Sequence, residues 1–371
     1  MAIQWLRCGH DVYVVSTWWW SRPASSMLYH LLLQTVKTQQ SAGVSPGQPH
    51  LLEYDLYDDK DIEKAINDLS QAASGGSLYV IADEVEGTDR KTSFPLFCDK
   101  LLTQVPRLHL WAASCYHGHA PAGWQVESLT RPLRSPPTVV REVEQDESIA
   151  RHNRIHRYSD RVVPDHTDGP PVRQLYHRGQ GHTGRLPDNC VTCGREVASF
   201  LHSLGVGATG SCTTTSTTVN SKSGGTTPPS LQWRDVLVLN WNNNTIKHTN
   251  NSGLVKGLQE AGIPVRVMKD EDIEDVATAS SDVVWVVCGD RVRGLERKVV
   301  VCMKDIDFET SIFVGHGLQI STSSRRDLMS RCTSQLMIIF PDPRHLTMTD
   351  ITSPATVVVV YLTFFHINSC F

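Results

Sequence analysis

Short runs of continuous apolar, β-favouring residues alternate along this chain with stretches of helical spacing. That alternation constrains the fold more than any other feature. Residues 11–17 (DVYVVST), 78–82 (LYVIA) and 108–113 (LHLWAA) form one series, and residues 235–239, 263–268, 283–287, 298–303 and 336–340 form a second. A strand without alternating polar residues must be covered on both faces, which is the condition of a parallel sheet between layers of helices. The helical stretches at 27–36, 58–73, 191–204 and 254–261 supply the crossovers that such a sheet needs. The pattern predicts an α/β protein.

A length of 371 residues suggests two domains. The expected division is a first α/β lobe over residues 1–143, an irregular stretch over 144–230, a second lobe over 231–340 and a tail over 341–371. The irregular stretch is rich in charge, His, Pro and Gly, regains helical spacing at 191–204, and ends in a Thr/Ser/Gly linker over 208–230. Charged residues make up 20% and hydrophobic residues 40%, which excludes a disordered chain. The formal net charge of -4 gives no global basic field for nucleic acid, although a local basic groove remains compatible with it. The longest apolar run, residues 355–365, is too short to span a bilayer and is expected to be a buried strand or part of an irregular tail, so no membrane association is expected. Ten scattered cysteines with no charged-then-apolar leader point to reduced thiols and an intracellular location, cytoplasm or nucleus.

The most informative local feature is the end of the run at 78–82, where Asp83 and Glu84 follow it directly. In open parallel sheets, ligands gather at the carboxyl ends of the strands. One carboxylate there can hold hydrated magnesium, and a second can orient an attacking water. The alternative is a solvated acidic loop, since Glu86 and Asp89 follow. Arginines stand at three later places: Arg134 in LTRPLRSPP, Arg293 in RGLERKVVV, and Arg331 just ahead of the final strand. A guanidinium offers a fixed fork of donors suited to phosphate oxygens.

Two other groups are worth weighing. Cys190 and Cys193 form a CxxC with His177 and His182 upstream, and two thiolates with two imidazoles are a zinc ligand set. The CxxC lacks a second pair at finger spacing and leads straight into an apparent helix, so structural thiols are the competing account. Trp18, Trp19 and Trp20 could stack on bases or pack in an interior.

In its order of motifs the chain resembles a superfamily 1 helicase core, of the Rep/UvrD-like type shared with the helicase-like regions of Schlafen proteins. VVSTWWWS (14–21) is similar to the segment that touches nucleic acid, IADE (81–84) to the Walker B motif, and LHLWAAS (108–114) holds the place of the sensor motif. LTRPLRSPP (129–137) is similar to the arginine motif that opens the second lobe. RGLERKVVV (293–301) resembles the KGLE-type motif and SRCTSQL (330–336) the last arginine motif.

The resemblance implies two RecA-like parallel-sheet lobes, the first N-terminally incomplete, with ATP and Mg2+ between them and DNA or RNA as partner. It implies that Asp83 binds magnesium through water, Glu84 activates water, and Arg134 and Arg331 reach the γ-phosphate. Arg293, Gly294 and Glu296 would close the nucleotide site, and Ser16 and Thr17 would face the nucleic-acid groove.

The chain departs from the family pattern by having no GxxxxGK[ST] and no Gly-Lys dipeptide at all. Ala113, Ser114 and Cys115 replace the acid and glutamine of the sensor motif, and Val85 and Glu86 follow the acidic pair where a glutamine is usual. Two explanations stand: an incomplete copy of an active motor, favoured by an opening Met inside an apparent helix, or a relative that no longer hydrolyses ATP. The expected function is a helicase-like ATPase, incomplete or inactive as this chain. The alternative is a non-catalytic nucleic-acid- or protein-binding module derived from the same core.

Overall fold

A computed structural model of the chain describes residues 1–73, 76–83, 85, 93–114, 123–129, 135–144, 169–184, 186–207, 230–240, 252–292, 294–303, 332–340 and 362–366. Among them are helices α1 (Ala2–Arg7), α2 (Arg22–Ser41), α3 (Asp59–Ala72), α4 (Ser93–Gln104), α5 (Pro137–Glu144), α6 (Val191–Ser203), α7 (Gly253–Glu260) and α8 (Ile273–Thr278). The strands of the first lobe are β1 (Val12–Ser16), β2 (Pro49–Glu53), β3 (Ser77–Ala82), β4 (Arg107–Ser114) and β5 (Gln125–Leu129). Those of the second are β6 (Arg173–Tyr176), β7 (Val236–Asn240), β8 (Val265–Val267), β9 (Val284–Cys288), β10 (Arg297–Met303) and β11 (Cys332–Phe340), and β12 (Leu362–His366) ends the series.

The fold is α/β with two lobes, each built on a sheet of parallel strands. In the first sheet β2, β1, β3 and β4 lie side by side and run parallel. In the second, all six strands run parallel in the order β6-β11-β10-β7-β9-β8. The apolar runs are buried on both faces, as their composition requires. Val12 and Val14 of β1 face Leu32 and Val36 of α2, whereas Val15 faces the opposite layer of α3 and α4. In β7, Val236 and Val238 pack with α6 and α7, while Leu237 and Leu239 pack with α5 and α8. Each such aliphatic side chain contributes roughly 1.5–3 kcal/mol by leaving water.

Local signals fix the helix ends. The Asp58 side chain accepts from Lys60 N at 3.0 Å, and Asp59 and Asp61 occupy the first turn of α3, where the exposed N–H groups favour negative charge. The Ser252 Oγ accepts from Val255 N at 3.3 Å and caps α7.

The lobe boundary differs from the expected one. Residues 169–184 and 186–207, expected in the stretch between the lobes, are built into the second lobe. β6 pairs with β11, Pro171 O accepts from Gln335 Nε2 at 2.8 Å, and α6 packs on α7. A four-residue strand with mostly exposed side chains has too little alternation to be read from sequence; its partner strand decides it. The tail also contributes structure, because β12 lies between β4 and β5 and runs antiparallel to both. The expected linker over 208–230 lies outside the described residues, apart from Ser230.

The lobes meet through α2. Its Leu32 and Val36 cover the first sheet, while Met27 packs against the α5/α8 layer of the second lobe. His30 Nε2 lies 3.2 Å from Glu274 Oε1 across this seam. Beside it, the turn Trp19–Ser21 that follows β1 packs on the turn Gly289–Val292 that follows β9. The carboxyl ends of one strand from each sheet therefore face each other. No helix among the described residues is long and apolar enough to cross a membrane.

Candidate metal-binding cluster and the expected nucleotide site

Among the described residues, one group of metal-ligating side chains converges: His177, His182, Cys190 and Cys193, whose donor atoms all lie within 4.8 Å of one another. Two segments of backbone bring them together. β6 ends at Tyr176, and His177 N donates to Phe340 O at 2.8 Å, so the first histidine is tied to the sheet. The chain then doubles back through a loop in which Gly181 (φ 92) and Gly184 (φ 83) take left-handed conformations that other residues adopt at a cost. Thr192 Oγ1 donates to Gly181 O at 2.6 Å and holds that loop on the start of α6. Cys190 is the N-cap of α6 and its sulfur accepts from Cys193 N at 3.5 Å.

Inside the cluster, Cys193 Sγ lies 3.3 Å from His177 Nδ1 and 3.4 Å from His182 Nδ1, and Cys190 Sγ lies 3.6 Å from His182 Nδ1. Each imidazole has an oxygen near its other nitrogen, within hydrogen-bond distance only for His177. His177 Nε2 is 3.1 Å from Gly184 O, and His182 Nε2 is 3.7 Å from Glu196 Oε2. Both cysteines are fully buried and His177 is 3% exposed. Burial, and then the Cys190 sulfur beside it, push the Cys193 thiol well above its ordinary range. This arrangement can hold a thiophilic cation. The spacing carried a signal, since HxxxxH and CxxC lie within seventeen residues, but only the loop closure shows that all four side chains point at one place.

The residues expected around a nucleotide are placed as follows. Asp83 is partly buried, one residue beyond the carboxyl end of β3. Gly294 takes φ 76 and, with Glu296, forms the turn into β10, immediately after the Gly289–Val292 turn at the lobe contact. Glu84, Arg134, Arg293 and Arg331 lie outside the described residues.

Ser16 and Thr17 sit at the carboxyl end of β1, near the same contact, but they are buried. The Ser16 and Ser21 hydroxyls are 2.8 Å apart, and Ser21 Oγ also accepts from Thr17 N at 3.0 Å. Ser16 therefore serves the turn of Trp19–Ser21, not an open groove. Trp18 is buried against Trp20, and Arg22 lies 4.6 Å over the Trp19 ring, so packing accounts for the tryptophans in this structure.

Sequence reasoning overlooked Arg297. It is buried, and its guanidinium donates to Glu296 O at 2.8 Å and to Val276 O, which fastens the Glu296 turn to α8. Burial lowers its pKa. Its place in the charged run Glu296-Arg297-Lys298 gave no hint that it turns inward.

No protein-family model matches the chain, and no curated protein matches it.

Proposed function

We propose that this chain is the two-lobed core of a helicase-type ATPase whose partner is DNA or RNA, and that these 371 residues bind nucleic acid without appreciable ATP turnover. The observation that supports this reading is the approach of two parallel α/β lobes at the carboxyl ends of β1 and β9. That is where open parallel sheets keep their ligands. In this reading Asp83 and Glu84 serve as the magnesium-holding and water-orienting acids, and Arg134 and Arg331 as the phosphate-facing cations. Arg293, Gly294 and Glu296 form the second lobe's wall. The work asked of the protein is positioning and charge neutralisation. No GxxxxGK[ST] is present to cradle the phosphates, so the grip on ATP and Mg2+ is weak in this chain.

The test combines two assays on the purified chain. Single-stranded DNA and RNA oligonucleotides are titrated at several salt concentrations, and ATP hydrolysis is followed with and without them. Salt-dependent binding and no turnover are expected. Turnover in the usual enzyme range of roughly 1–1000 per second, lost in Glu84→Gln, would overturn the inactive half of the reading. Absence of binding to either nucleic acid at low salt would overturn the other half. It would favour a protein-binding module instead, a reading that the burial of Ser16, Thr17 and Trp18 independently supports.

A further inference from the structure

We propose that His177, His182, Cys190 and Cys193 form a closed, structural zinc site that braces β6 and its loop against the N-terminus of α6. The inference is independent of the helicase reading and rests on the direction of the lone pairs.

The two imidazoles are oriented from outside. Gly184 O can only accept, so the His177 Nε2 that faces it at 3.1 Å carries the proton. The Glu196 carboxylate, 3.7 Å from His182 Nε2, is beyond hydrogen-bond distance but its charge favours a proton on that nitrogen. Both Nδ1 atoms are then unprotonated and direct their lone pairs at the sulfurs. This is the outer arrangement that metal-bound histidines adopt, with carbonyl or carboxylate partners fixing the ring and raising its basicity. The two sulfurs and two nitrogens make four electron donors aimed at one point.

Distances separate metal ligation from a set of hydrogen bonds. Bonds of about 2.3 Å to sulfur and about 2.0–2.1 Å to nitrogen place a sulfur and a nitrogen of a zinc tetrahedron about 3.6 Å apart. Three of the four sulfur–nitrogen edges measure 3.3, 3.4 and 3.6 Å, and the fourth lies within 4.8 Å. Two thiol protons could satisfy at most two of these three edges, whereas one cation satisfies all of them. With the cysteines fully buried, the cation also offsets the cost of burying ionised sulfur. The Cys193 N–H on Cys190 Sγ, at the first turn of α6, adds a donor to the thiolate form.

Four protein ligands leave no position for water or substrate, so the site is structural. Two thiolates with two imidazoles in a tetrahedron select zinc over magnesium or calcium, which take oxygen ligands. The role follows from the elements joined. β6 is a short edge strand held by β11 on one side, and its loop carries glycines at 179, 181 and 184. The metal replaces the core that a seventeen-residue segment cannot build.

The test uses the full chain. Metal content is measured by elemental analysis after purification without added zinc. The chelated, reduced protein is then titrated with cobalt(II). One zinc per chain is expected, with the intense visible bands of tetrahedral cobalt and a thiolate charge-transfer band on titration. Zinc should displace these bands. Cys193→Ser and His182→Ala should lose the bands, while Cys98→Ser, which lies in the first lobe's core, should keep them. The wild-type cobalt spectrum decides the matter even where a ligand variant fails to fold. Purified protein without zinc that gives no tetrahedral cobalt spectrum overturns the proposal. A six-coordinate spectrum, or one unchanged in Cys193→Ser, does the same.

Discussion

Gly194 of α6 and Gly257 of α7 stand back to back where the two helices cross. A Cβ placed on Gly194 would come within 2.9 Å of the Gly257 Cα and closer still to Leu254 O. A Cβ on Gly257 would likewise run into Val191 O. The helices thus approach at backbone distance, and this contact seats the CxxC turn on the second lobe. Gly194→Ala is expected to force them apart at a cost of about 1–3 kcal/mol, the usual penalty of overpacking. The check is the urea midpoint of the variant. A variant as stable as the parent would mean that the helices slide apart freely.

The lobe seam separates an apolar contact from an ion pair. Met27 packs into the α5/α8 layer, whereas the His30–Glu274 pair is solvated, with the Glu274 side chain 74% exposed. His30→Ala should change stability by no more than about 1 kcal/mol. Met27→Asp should be destabilising by about 2–3 kcal/mol, because it removes apolar burial and introduces a charge in a partly buried place. Small-angle scattering of Met27→Asp should show a larger radius of gyration; an unchanged profile would show that the seam does not hold the lobes.

Thr17 gives a test of where nucleic acid would touch. Its hydroxyl is buried with no hydrogen-bond partner among the described residues. A buried hydroxyl without a partner costs stability, so Thr17→Val should be neutral or stabilising by up to about 1–2 kcal/mol. Oligonucleotide affinity should stay within twofold of the parent. A tenfold loss would mean that Thr17 reaches nucleic acid in another arrangement of the lobes.

His109 is expected to contribute to the acid sensitivity of the first lobe. It stacks on Tyr79 at 4.6 Å, and Tyr79 stacks on His10 at 4.4 Å. Burial, and then the positive charge of His10, lower the His109 pKa from its ordinary value of 6.5. The folded state binds this proton less readily than the unfolded chain. Its contribution to stability is therefore intact above the unfolded value and is lost as pH falls through about 6.5 toward the lower folded value. His109→Gln should flatten the loss of thermal stability between about pH 7 and pH 5 relative to the parent. An identical slope in both proteins would remove His109 from the acid response.

Much of the α/β architecture was legible because burial on two faces leaves a compositional mark. Residues 78–82 and 236–239 are apolar at every position, and both became central parallel strands, β3 and β7. The helix over 58–73 was marked by its acids and by Ile62, Ala65, Ile66 and Leu69 at helical spacing. β6 left no such mark, because it is mostly exposed and is defined by hydrogen bonds to a strand more than 150 residues away. α4 carries apolar residues on several sides, and α5 begins at a proline after another proline. Neither gave the clean periodicity that identifies a surface helix.

The candidate sites divide in the same way. The residue types of a zinc site stood at visible spacings in the sequence, and so did an acidic pair at the end of an apolar run. Sequence alone determined the strands and helices that carry their own apolar pattern, such as β3, β7 and α3, since that pattern is local to each segment. Only the tertiary structure decided that His177 and His182 turn their Nδ1 atoms toward Cys190 and Cys193. That orientation depends on Gly184 O, Glu196 and the left-handed turns between them. It also decided that Ser16 and Arg297 face inward, because the partners that claim them, Ser21 and Val276 O, are set by how the chain returns on itself.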